Sequence, residues 1–197
     1  TERLTADVKR GDVVQAGIVI NNSESGLCSI IVEPMIFRLV CLNGAVANDY
    51  GMKKYHVGRG HGEGDMAEEF FRDATRAADD RAFWLKVQDV VLGSFNRDVF
   101  DKLVDKMRDA TERLITADPV KAVEVVQKKF SLTDGERGSV LTHLIQGSDL
   151  SAYGLMNSVT RASQDVEDYD RASQMEKIGF GVIELSKKDW NEIATVN

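Results

Sequence analysis

Residues Lys53 to Met66 read KKYHVGRGHGEGDM and gather two histidines, three other basic residues, a tyrosine and two carboxylates among four glycines. Three kinds of chemistry use such a set. A phosphate cradle needs glycines that let backbone N–H groups approach an anion, then a helix N-terminus aimed at it. The strand, glycine loop and helix come in that order here, but the Lys-Ser/Thr of a Walker loop is missing. The following helix also opens with Asp65, Glu68 and Glu69, which already complement its positive end and repel a phosphate. A metal centre would draw on His56, His61, Glu63 and Asp65, but four glycines loosen that scaffold and the third histidine, His143, falls on a helix far along the chain. The third chemistry is electrostatic. Lys53, Lys54, His56, Arg59 and His61 form a basic strip beside Tyr55, a set able to track a nucleic-acid backbone and stack a base. The competing reading is a plain turn whose histidines lie on the surface. We take the stretch as a contact surface, with no catalytic, cofactor-binding or metal-ligating residue assigned and no cofactor expected.

Nothing elsewhere competes with it. There is no G-x-S-x-G elbow, and Cys28 and Cys41 lie in apolar runs with neither zinc nor hydrolase spacing. They read as reduced, buried small hydrophobes. Asp79-Asp80 and Glu167-Asp168 are adjacent pairs that do not share a helix face, so they read as solvated.

The elements that must position these residues change character near residue 64. Before it, DVVQAGIVIN (12–21) and LCSIIVE (27–33) are β-branched runs joined by NSESG, a hairpin signal. MIFRLVCL (35–42) follows Pro34 and stops at Asn43-Gly44; MKKYHV (52–57) reads as a further strand. After Asp65 the period becomes helical. The first long helix aligns Phe70, Ala74, Ala77, Ala78 and Leu85 on one face. Phe70, Phe71, Phe83 and Trp84 lie on more than one side of it, which predicts a helix central in a bundle, or one with an interface side. A second helix carries Val99, Leu103, Met107, Ala110 and Leu114. A third opens at Asp118-Pro119, and a fourth at the capping box Thr133-Asp134-Gly135-Glu136, with Leu141, Leu144 and Ile145. A fifth is expected over most of 149–177, stopping near Gly179, followed by a short strand FGVIEL and a last capped turn from Ser186. The expected fold class is α+β, a small antiparallel sheet and then about five helices with a short C-terminal strand. The division is a sheet subdomain, 1–64, with a helical subdomain, 65–197, packed on it.

Composition bounds the function. The chain has 197 residues, 43% hydrophobic, with a net charge of −7. Residues 1–64 hold seven Lys/Arg and seven Asp/Glu, so the whole negative balance falls beyond them. An anionic partner is therefore expected to meet the first part. No run approaches the roughly 18 apolar residues of a membrane span, and TERLTADVKRGD is no cleavable signal. The expected compartment is the cytoplasm, without membrane contact. No initiator Met opens the sequence, so further N-terminal residues are expected.

Three motifs together carry a resemblance: GIVINNSESG with Asn22, Ser23 and Gly26; EPMIFRLVCLNGAV with Arg38, Leu39, Val40, Cys41, Asn43 and Gly44; and KKYHVGRG with Lys54 and His56. This succession resembles the core of a family of phage and plasmid proteins filed as a domain of unknown function. SVTRASQDVEDYDRASQMEKIG is similar to that family's C-terminal helical region. The resemblance implies a mobile-element context in a bacterial host cell, hence DNA replication, recombination or interference with host defence.

The expected function is a non-enzymatic nucleic-acid-handling protein, of the kind that binds or anneals single-stranded DNA as a homo-oligomer. Lys53, Lys54, Arg59 and Arg38 would contact phosphates, with His56 in the strip and Tyr55 stacked on a base. One alternative is a self-assembling or host-protein-binding phage protein without nucleic-acid contact. Another is a metal-dependent enzyme using His56 and His61.

Overall fold

The structure is a computed structural model, which describes residues 3–21, 31–40, 42–47 and 72–196. Four strands, β1 (Thr5–Lys9), β2 (Asp12–Asn21), β3 (Ile31–Arg38) and β4 (Asn43–Val46), form an antiparallel sheet in the order β1-β2-β3-β4. Seven helices follow among the described residues: α1 (Asp73–Ser94), α2 (Arg97–Glu112), α3 (Pro119–Phe130), α4 (Asp134–Gly147), α5 (Ala152–Ala162), α6 (Tyr169–Ile183) and α7 (Lys187–Ala194). The fold class is α+β, as expected from the sequence.

The hairpin read at 12–21 and 27–33 pairs in register from Val14↔Arg38 to Asn21↔Ile31; its connection lies outside the described residues, as does the strand expected at 52–57. The two runs that Pro34 separates in the sequence form one strand. β4 pairs with Met35–Arg38, and just past its end Pro34 O accepts from Ala47 N at 3.0 Å while proline, lacking an N–H, returns no bond, so the ladder stops there. β1 was not expected, because TADVK looks polar. It alternates: Ala6 and Val8 turn to the core while Thr5 and Asp7 turn away. Gly11, at φ +79, makes the two-residue turn between the pair Lys9↔Asp12.

One face of the sheet is core. Val14, Ala16, Ile36 and Ala45 pack with Leu103, Val104, Met107 and Ala110 of α2 and Tyr153, Met156 and Val159 of α5. The helix starts that the sequence marks are capped as read. Asp118 accepts from Val120 N with Pro119 in the first turn, Thr133 and Glu136 close their box, and Ser186 caps α7.

Two expectations near the C-terminus are corrected. The single helix over 149–177 is two, α5 and α6, broken by a 3₁₀ turn at Ser163–Asp165. Ser163 Oγ donates back to Thr160 O, and Asp168 accepts from Arg171 N to start α6 afresh. The strand expected at FGVIEL is the end of α6, with Phe180, Val182 and Ile183 buried. Gly179 does not stop that helix. A Cβ there would lie 2.3 Å from Thr160 Cγ2, so the glycine lets α6 close on α5, and tertiary packing overrides the strand propensity of the run.

Candidate functional site

The most concentrated polar chemistry among the described residues lies at the end of the sheet where β2 begins and β3 ends. Asp12, nearly buried, accepts Arg38 Nε on one oxygen and Arg38 Nη2 on the other, both at 2.7 Å. It also accepts the Tyr153 hydroxyl, from α5, at 3.1 Å. Burial, and then the charge of Asp12, push the Tyr153 phenol well above its ordinary value, so it stays an O–H donor. The Arg38 guanidinium and the Lys9 ammonium each lie 5.7 Å from the centre of the Tyr153 ring. Lys9 Nζ reaches Asp149 Oδ2 at 2.8 Å, and Ser151 Oγ donates to Asp149 while accepting from Gly154 N, the cap of α5. This sheet end is thus stapled to the start of α5.

A second set pins the β3–β4 tip to the other end of α5. Asn43, only 2% exposed, donates from Nδ2 to Thr160 Oγ1. Gln164 Nε2 donates to Leu42 O at 2.7 Å, and its Oε1 accepts from Arg161 Nη1. Arg38, Asn43, Tyr153, Asn157 and Thr160 line a small cleft with room for about one water molecule. Asn43 Oδ1 and Asn157 Oδ1 are buried in its wall and meet no donor among the described residues, so the cleft suits one small hydrogen-bond donor. It is too small for an organic substrate.

Held this way, the tip presents Leu39, Val40 and Leu42 outward, the last two 59% and 66% exposed. Leu42 sits at φ +53, a left-handed conformation costly for a branched residue, which the contacts of Gln164 and Asn43 sustain. The β1–β2 turn with exposed Arg10 lies at the same sheet end, since Leu39 N donates to Val13 O at 2.9 Å. The site can therefore display apolar side chains rigidly beside basic ones.

Of the residues assigned from sequence, Arg38 is here, engaged by Asp12. Lys53, Lys54, Tyr55, His56 and Arg59 lie outside the described residues, as do His61, Glu63, Asp65, Cys28 and Cys41. His143 is on α4 with its Nε2 2.9 Å from Asp165 Oδ2, the same oxygen that accepts Ser139 Oγ at 2.5 Å. Both contacts, Ser139 first, hold the Asp165 carboxyl below its usual range. Serine and histidine share a carboxylate, so His143 does not activate the hydroxyl. Among the described residues, no group of three or more His, Cys, Asp or Glu side chains is placed to hold a metal ion, and no helix is long and apolar enough to cross a membrane. Sequence reasoning missed Asp12, Tyr153 and Thr160. Asn43 was read as turn punctuation and as part of the family motif, not as a buried contact, and Tyr153, 141 positions from Asp12, carries no local signal.

The fold and site define a class: an α+β scaffold that stiffens one sheet end and the hairpin tip upon it. The chain belongs to DUF932, a domain of unknown function, whose family model matches residues 1–178. No curated protein and no solved structure matches it.

Proposed function

We propose that this chain is a non-enzymatic nucleic-acid-handling protein of a phage or plasmid, binding single-stranded DNA through the sheet end and the basic strip Lys53–Arg59. The observation that carries the reading is the stapled β3–β4 tip, which displays Leu39, Val40 and Leu42 with exposed Arg10 and Arg161 nearby. Apolar side chains of this kind wedge between bases, while flanking cations meet phosphates. The neutral balance of residues 1–64, against the acidic remainder, directs an anionic strand to this side. Lys53, Lys54, Arg59 and His56 would add phosphate contacts and Tyr55 a stacking platform. Arg38 enters as the residue that fixes the tip, through Asp12.

The test is titration of labelled single-stranded and duplex DNA at about 50 and 200 mM salt, the range over which phosphate contacts reveal themselves. Salt-sensitive binding that prefers single strands, weakened and flattened in salt slope by Lys53→Ala/Lys54→Ala, is the expected result. No binding at the lower salt overturns the reading.

A further inference from the structure

Among the described residues, α1 packs on the sheet with one side only. Phe83, Val87, Val90 and Val91 are half-buried and Ser94 buried, and the helix lies against β2, β3 and the start of α2. At about 100° per residue, a second stripe falls on another side: Ala74, Ala77, Ala78, Trp84, Leu85, Leu92 and Phe95. Every one of these is exposed, Trp84 at 59%, Leu85 at 51%, Leu92 at 64% and Phe95 at 47%. Scattered exposed apolar residues are ordinary; four large ones in one helical stripe, including a tryptophan, are an unfilled contact. Only Arg81 and Gln88 interrupt it.

We propose that this stripe pairs two copies of the chain, α1 against α1, antiparallel about a twofold axis near Leu85. The charges on the stripe and at its edge select both occupant and direction. Arg81 precedes Leu85 by four residues and Asp89 follows it by four, so reversing one helix about Leu85 sets each Arg81 beside Asp89 of the partner subunit, twice. A parallel pair would stack Arg81 on its own copy. Arg81 on the stripe and Asp89 at its edge cancel, so this face offers a nucleic-acid backbone no net positive charge. Pairing is independent of the DNA reading and survives its failure.

Sedimentation of the whole chain across the micromolar range, with acrylamide quenching of tryptophan, tests it. Trp190 is 5% exposed and shielded in either state, so Trp84 supplies the quenchable emission. The expected result is a mass that doubles with concentration while Trp84 becomes protected. Arg81→Asp or Asp89→Arg alone weakens association about tenfold, the scale of two exposed charge pairs lost together, and the double variant Arg81→Asp/Asp89→Arg restores it. Circular dichroism confirms that each variant folds. A chain that stays monomeric with Trp84 quenchable at every concentration overturns the proposal. So does a dimer whose affinity neither single charge reversal changes, or which the double reversal fails to restore.

Discussion

Helices α5 and α1 are both rich in apolar residues and differ in what surrounds them. α5 buries nine of its eleven residues, against the sheet, α2, α4 and α6. α1 is twice as long and buries only Ser94. A helix apolar on several sides needs neighbours on several sides. α5 has them within the chain and so serves as the post to which the sheet end is stapled, through Tyr153 and Thr160. α1 has them on one side, which leaves its second stripe for another molecule.

The contrast can be broken by mutation, most severely within α5. Leu155→Ala should cost about 2–5 kcal/mol in urea unfolding, because Leu155 is wholly buried; a loss below about 1 kcal/mol would deny α5 its central place. Gly154→Ala should cost about 3 kcal/mol, since its Cβ would meet Asp149 O at 1.8 Å and both backbones must shift. Arg38→Ala should cost about 2–3 kcal/mol, less than a wholly buried pair because its side chain keeps some solvent contact, by leaving Asp12 unneutralised. If instead stability is kept and only DNA affinity falls, Arg38 is a phosphate ligand before it is a staple. Arg171, donating to both oxygens of Glu136, and then the Thr133 backbone hold that carboxyl below its ordinary value of 4.5. Its contribution is therefore complete above that value and lost as pH falls through the lower folded-state value. Acid titration of stability should steepen below about pH 4.5, and Glu136→Gln should flatten that limb. Smallest of all, Leu92→Ala should change the unfolding of the dilute chain by less than about 0.5 kcal/mol, as at other exposed sites.

Local signals in the sequence were legible where the chain answers them locally. Asp118-Pro119, the Thr133–Glu136 box and Ser186 are read from adjacent residues and cap their helices as written. Periodicity also found the stripe of Ala74, Ala77, Ala78 and Leu85, and left open a helix central in a bundle or one with an interface side. The structure turns it outward, because the sheet takes the side carrying Phe83, Val87 and Val90. Periodicity shows that a face seeks cover and does not show what covers it. Gly179 likewise looked like a stop and is a point of contact with Thr160, a relation only the fold creates. At the candidate site Arg38 was legible as a basic residue before a turn, whereas its partners lie 26 and more positions away: Asp12 by hydrogen bonds, Tyr153 by its ring. Distance along the chain hid the staple.

The contrast between the two helices is most directly tested by amide hydrogen exchange of the whole chain at low and high concentration. Protection in α5 should be the same at both, set by the chain's own core. Protection in α1 should be weak when dilute and rise as copies meet. Equal, concentration-independent protection in the two helices would contradict it, since α1 would then already have all the partners it needs.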